Sequence, residues 1–193
     1  MLPDFTRSDR KATPFPHFIT SGLLPGDVAD ALLRWLEEDA PWQLRIADFY
    51  EQNEFSLLAV TPPPAAGVVI APEFIEAVAA ELSSRLSSGS LELVDVCAHR
   101  MEAGQTIRIH NDHLGDGQET HRLVVQLNRG WSVGNGGLLM LFASDDPRSV
   151  TDVILPVHRS AFGFEISDNS HHAVSTISMG SRLSIVYTFR NAR

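Results

Sequence analysis

The sequence predicts an α+β fold in which two helices brace a sandwich or barrel of about eight short strands. Three observations carry the prediction. Two stretches in the first half repeat apolar residues at the spacing of a helix face. From Leu91 onward, short runs rich in β-branched and aromatic residues recur at regular intervals. The gaps between those runs hold Gly, Asp, Asn, Pro and Ser, the residues of turns.

The first helix is expected in "LPGDVADALLRWLEEDAPW". Asp27 can cap it, Val28, Ala31, Leu32, Trp35 and Leu36 form its apolar stripe, and Pro41 stops it. "TPPPAAG" (61–67) reads as a rigid connector. The second helix is "APEFIEAVAAELSSRLSSG", with Pro72 in its first turn, a stripe of Phe74, Ile75, Val78 and Leu82, and Gly89 past its end. The strand segments are "LELVDVCAHRM", "QTIRIHND", "HRLVVQLN", "GGLLMLFAS", "TDVILPV", "RSAFGFEIS", "HHAVSTIS" and "SRLSIVYTFR". Two helices alone bury little surface. Residues 1–90 are therefore expected as helical N-terminal support for a core at 91–193, within one domain spanning 1–193.

Composition narrows the function classes. Hydrophobic residues make up 44% and charged residues 20% of 193, ordinary for a globular domain with a real core. A net charge of −9 without a basic stripe argues against nucleic acid as a partner. The single cysteine, Cys97, cannot form an internal disulfide. "MLPDFTRSDRK" is not an apolar leader, and no run reaches the length of a membrane span, so the expected location is the cytoplasm, away from membranes. The sequence does not specify an oligomeric state.

The chemistry-bearing residues lie on the strand segments. In "TIRIHNDHLG" (106–115), Thr106, Arg108, His110 and Asp112 share one parity, so a strand would put His110 and Asp112 on one face. Such a pair is a chelating geometry that also arises often by chance. "SDNSHHAVSTISMGSRLS" adds His171 and His172, with Arg182 and Ser184 sharing a face further on. Two His and one carboxylate make the facial ligand set of non-haem Fe(II), and the lack of thiolates argues against structural zinc.

In this order and spacing, the residues resemble the Fe(II)- and 2-oxoglutarate-dependent dioxygenases, in particular the prolyl-hydroxylase-like branch, over about residues 91 to 190. "HND" (110–112) is similar to the family's His-x-Asp. "LNRGW" (127–131) before "GGLLML" (136–141) resembles the branch's Leu-Asn, Trp and Gly-Gly. "HHAV" (171–174) resembles the distal His, and "GSRLS" (180–184) the basic residue that holds 2-oxoglutarate. More loosely, "PFPHFITSGLLPGDVADALLRWL" is similar to the N-terminal segment of such enzymes.

The resemblance implies a distorted double-stranded β-helix (jelly-roll, cupin-like) braced by N-terminal helices, with Fe(II) as cofactor and 2-oxoglutarate and O2 as co-substrates. It implies that His110, Asp112 and His172 are the catalytic metal ligands. His172 is preferred to His171 because it stands ten residues before Arg182 and two before Val174, and neighbours on a strand face opposite ways. Arg182 is expected to hold the C5 carboxylate of 2-oxoglutarate, assisted by Ser184. Gln126 stands where many relatives carry Tyr and can donate to a 2-oxoglutarate oxygen. The relatives' first-strand Tyr is absent, with Arg100 and Met101 near its place. Arg100 and Arg122 are further arginines that could face the pocket. Halogenating relatives lack the carboxylate that Asp112 supplies, so hydroxylation is favoured; desaturation and ring closure begin with the same hydrogen abstraction.

The expected reaction is hydroxylation of an unactivated C–H bond on an amino-acid side chain, free or within a peptide or protein. The alternative is a cupin-like metal- or sugar-binding barrel without redox chemistry, using the same ligands for Zn²⁺ or Ni²⁺. Other residues have plainer expectations. "ADFYEQNEFSLL" (47–58) is a packing strand or, through Phe49, Tyr50 and Phe55, part of a substrate wall. His113 belongs at the rim, His99, His121 and His158 are structural or solvated, Gly136 and Gly137 form a tight turn, and Asp145, Asp146 and Pro147 form a surface turn.

Overall fold

The computed structural model describes residues 1–192, and among them twelve strands form two sheets. The chain begins with β1 (Ser8–Lys11), β2 (His17–Thr20) and helix α1 (Gly26–Glu38). It continues through β3 (Gln43–Ile46), β4 (Glu51–Ser56), the short α2 (Pro64–Gly67) and α3 (Pro72–Leu86). The strands β5 (Leu91–Met101), β6 (Ile107–His110), β7 (His121–Gln126) and β8 (Leu139–Phe142) follow. Last come β9 (Val150–Ile154), β10 (Ala161–Glu165), β11 (His172–Val174) and β12 (Arg182–Asn191). The larger sheet runs β1-β2-β10-β7-β12-β5-β4-β3, and the smaller β6-β11-β8-β9.

All eight segments read as strands after residue 90 form strands. The first ninety residues depart from the expectation of helical support, because β1 to β4 lie there and extend both edges of the larger sheet. These strands are short; β1 and β3 are the two edges and β3 is exposed along its whole length, whereas β2 is mostly buried but only four residues long. An edge strand with no face to bury leaves no alternating pattern to read.

Details of the helices also differ from expectation. Pro25 occupies the N-cap of α1 without a side-chain bond, and Asp27 sits in the first turn, where its charge complements the helix dipole. Ala29 and Leu33 are buried while Ala31 is only half-buried, because the helix presents a wide arc to the core. Residues 64–67 of the expected connector form one helical turn opened by Pro64. Helix α3 stops at Ser87, whose φ of 59° is left-handed, two residues before Gly89.

Strand β12 organises the interior. Leu183, Ile185, Tyr187 and Phe189 join Leu32 and Leu36 of α1 and Phe74, Val78 and Leu82 of α3 in one core. The Tyr187 hydroxyl donates to the Val69 carbonyl, 2.8 Å away, tying β12 to the segment before α3. The alternate residues Arg182, Ser184, Val186 and Thr188 line the cavity between the sheets. With both faces covered, the strand is buried from Arg182 to Phe189. A second cluster, Leu139 and Leu141 of β8 with Phe162 and Phe164 of β10, joins the two sheets face to face. Gly163 between these two phenylalanines faces the other way, where a Cβ would strike the Phe18 ring.

Leu82 is fully buried beneath the larger sheet. Leu82→Ala should cost about 2–5 kcal/mol, read from the urea midpoint. His121 opens β7 as a buried imidazole whose Nε2 has no partner, and burial pushes its pKa down to about 4. Below about pH 6.5 the unfolded chain takes up this proton while the folded chain refuses it until about 4, so stability falls as pH falls through that window. His121→Phe should flatten the decline of the urea midpoint between pH 7 and 4.5.

Candidate active site

Strands β6 and β11 pair antiparallel with His110 opposite His172. Their rings lie 4.2 Å apart between centroids. The Nε2 atoms of His110 and His172 each lie 3.3 Å from a different oxygen of Asp112. One ligand atom from each residue falls within 4.8 Å of the others. Each Nδ1 meets a backbone carbonyl, Arg108 O at 2.9 Å for His110 and Ser170 O at 2.7 Å for His172. An Nδ1–H donating to that carbonyl leaves Nε2 as a lone pair turned toward the cluster. Two lone pairs and a carboxylate then converge, a donor set that a cation satisfies and that suits Fe(II).

The three side chains meet as expected, but strand parity is not the cause. Strand β6 ends at His110, and Asp112 lies beyond it with a left-handed φ of 62°. The pairing also slips between His172↔His110 and Val174↔Ile107, so two residues of β11 face three of β6. The bulge brings Ile107 to the same cavity as His110, despite their opposite parity. The turn that carries Asp112 is anchored by the Ser170 hydroxyl, which donates to the Asn111 carbonyl at 2.7 Å. His171 lies outside the cluster.

The cluster faces a cavity of about 640 Å³. Arg182 lines its far wall, 4% exposed, with Ser184 at 1% beside it. Burial pushes the Arg182 pKa down to about 10, and its Nε has no hydrogen-bond partner. Gly137 leaves room for this side chain: its φ is 65°, and a Cβ there would lie 3.0 Å from Arg182 Cδ. Gly136 and Gly137 thus do more than close a turn.

The remaining candidates divide. Gln126 stands opposite Ser184 in the register, but its carbonyl oxygen accepts from Asn128 at 3.4 Å and the residue does not line the cavity. The structure therefore does not bring Gln126 to a co-substrate position. Arg100 points away, its guanidinium 5.1 Å from the Trp42 ring centroid. His113 is at the exposed rim, 3.4 Å from Asp168. The 47–58 segment both packs against the core and lines the cavity. Phe49 stacks on His110 at 4.5 Å and Tyr50 lines the cavity, while Phe55 packs edge-on against Trp35 and Trp42.

His99 escaped sequence reasoning, whereas Arg122 faces the pocket, as the sequence allowed, without having been given a role. His99, expected to be structural or solvated, pairs with Ser184 across the β5–β12 ladder and lines the cavity. Burial, with help from the Arg122 and Arg182 charges, pushes its pKa down to about 3, so the imidazole is neutral. Arg122 forms an ion pair with Asp112 at 2.7 Å and another with Glu119 at 2.6 Å. Burial would raise the Asp112 carboxyl, but the Arg122 charge beside it holds it well below the usual range. The signal for both residues is parity: His99 alternates with Cys97 and Asp95, and Arg122 with Val124, on strands whose cavity face only the pairing reveals.

Residues 96–190 match the sequence profile of the 2OG-Fe(II) oxygenase superfamily. No curated protein sequence matches the chain. Among solved structures, a Pseudomonas putida prolyl-4-hydroxylase is similar with a TM-score of 0.70 at 19% identity, covering 91% of this chain and 92% of the other. A Trichoplax adhaerens prolyl hydroxylase, solved with a hypoxia-inducible factor oxygen degradation domain peptide fragment, gives 0.76 at 13%, covering 91% and 83%. The viral collagen prolyl hydroxylase of Paramecium Bursaria Chlorella virus-1, a 2-oxoglutarate complex, gives 0.63 at 18%, covering 92% and 96%. Residues 96–190, which carry the His-Asp-His cluster and Arg182, match the 2OG-Fe(II) oxygenase superfamily model, and the chain has the fold of the prolyl hydroxylases it resembles.

Proposed function

We propose that the protein hydroxylates an unactivated C–H bond of an amino-acid side chain within a peptide or protein. In this reading His110, Asp112 and His172 hold Fe(II), and Arg182 and Ser184 hold 2-oxoglutarate. One observation carries it. A buried guanidinium with no ion-pair partner among the described residues shares a cavity with an acceptor-only cluster.

A buried charge without a partner is costly, and a carboxylate entering the cavity relieves that cost. 2-Oxoglutarate carries a carboxylate at each end, and its keto end suits the cluster. Arg182 would grip the far carboxylate through its planar fork, and Ser184 would donate a hydrogen bond from the same strand face. Two neutral imidazoles and one carboxylate cancel a single positive charge of Fe(II), so the site still attracts the dianion. Phe49 covers the His110 ring, and Val124, Val186, Phe162 and Phe164 keep the walls apolar and exclude water. When bound, Fe(II) with 2-oxoglutarate and O2 supplies the oxidising power for C–H cleavage. A peptide substrate is supported by the likeness to a prolyl hydroxylase solved with a peptide fragment.

The test is an anaerobic titration of 2-oxoglutarate into the Fe(II) protein, following the metal-to-ligand charge-transfer band, then succinate release in air. Metal binding without 2-oxoglutarate binding would favour the non-redox barrel. Arg182→Ala should raise the 2-oxoglutarate dissociation constant at least about 100-fold, because breaking a buried pair costs about 3–5 kcal/mol. Arg182→Lys should fall between, keeping the charge and losing the fork. In metal titrations, His172→Ala should abolish tight Fe(II) loading, whereas His171→Ala should keep it. The reverse would place the wrong imidazole in the cluster.

A further inference from the structure

Arg122 holds neither Fe(II) nor 2-oxoglutarate in the proposed function, yet its guanidinium is ion-paired with the cluster. Its Nη1 lies 2.7 Å from Oδ2 of Asp112, and its Nη2 lies 2.6 Å from Oε2 of Glu119. Glu119 thus holds the guanidinium from the side away from Asp112. The Asp112 carboxylate is 6% exposed, although the turn that carries it is exposed from His113 to Gln118.

Asp112 has little else to hold it. It lies past the end of β6 in a left-handed conformation, so no ladder fixes its direction. The Ser170–Asn111 bond anchors the backbone of the turn and leaves the carboxylate free to rotate. The imidazole atoms facing the carboxylate are lone pairs, because each Nδ1 is committed to a carbonyl. Lone pairs repel a carboxylate. Among the described residues, Arg122 is the cation that meets it.

We propose that Arg122 is a positioning residue: its guanidinium, steered by Glu119, clamps Oδ2 of Asp112 and presents Oδ1 to the metal. The clamp acts by orientation, since a second cation beside the metal would by itself weaken metal binding. It therefore also takes a free small carboxylate once the Asp112 side chain is removed. This rests on the metal reading of the cluster, and the experiment separates the two.

The probe is Co(II), titrated into the folded protein and read from its visible absorption, with the urea midpoint as a check on folding. The parent must bind one Co(II); if it does not, the metal reading itself fails. Arg122→Gln should lower Co(II) affinity about 10–100-fold, as loss of a ligand's supporting group does. Arg122→Lys should recover part of the loss. Asp112→Ala should lose tight binding, and formate should restore at least about tenfold of it, a gain of about 1.4 kcal/mol. Formate should do little for Asp112→Ala/Arg122→Gln. Rescue that is equal with and without Arg122, or absent from both, overturns the clamp. If Arg122→Gln does not fold, Glu119→Gln is the milder variant: it leaves the guanidinium unsteered and should give a smaller drop in Co(II) affinity, and an unchanged affinity overturns the role of Glu119 and with it the proposal.

Discussion

The pairing of β6 with β11 decides whether there is a site at all. His110 faces His172 across that ladder, and a slip of one residue would turn His171 inward instead. Strand β11 has only three residues, too few to hold its own register. It is held from both sides, by β6 and by β8, where His172 faces Leu141. Small hydroxyls then pin its flanks. Thr106 donates to the Val174 carbonyl at 2.9 Å, Ser175 accepts from the Leu138 amide at 3.0 Å, and Ser170 reaches Asn111. The His-Asp-His cluster is thus fixed on a short strand by side-chain-to-backbone bonds.

The opposite wall uses another device. Strand β12 is ten residues long, and its alternate side chains are committed to the helix-covered core. The remaining ones have no choice but to face the cavity, so Arg182 and Ser184 are placed by the packing of Leu183, Ile185 and Tyr187. Holding a guanidinium there costs free energy, and the apolar core beneath β12 offsets it.

Much of this was legible in the sequence. Eight strands after residue 90 were visible because each is bounded by turn residues, and β12 because apolar and polar positions alternate along it. His110, Asp112, His172 and Arg182 were legible as an ordered set. Period two does not account for His110 and Asp112: a left-handed turn at Asp112, past the end of β6, brings them together, and it leaves no mark in a parity pattern. The edge strands β1 and β3 were missed because short, polar edge strands carry no periodic signal, and β2, though mostly buried, because four residues are too few to show one. Gln126 was misjudged because its position on β7 is right while Asn128 holds its amide back. His99 and Arg122 were not assigned because their roles depend on which strands are neighbours, and β5 and β7 meet only through β12.

The separation of charges over two sheets explains why the cavity can hold an anion at all. Lone pairs gather on the smaller sheet and the turn beside it, and the free guanidinium stands on the larger one. Had Arg182 been within reach of Asp112, the two would have neutralised each other, as Arg122 and Asp112 do at 2.7 Å. Apolar side chains from both sheets, among them Val186, Phe162, Leu139 and Val174, lie along the cavity and keep its dielectric low. Low dielectric strengthens attraction at both ends and penalises any ligand that satisfies only one. The cavity therefore favours a molecule long enough to span it, with a chelating end for the cluster and an anionic end for Arg182. A shorter monoanion would leave one end unsatisfied, in keeping with the proposed grip of Arg182 on a dicarboxylate.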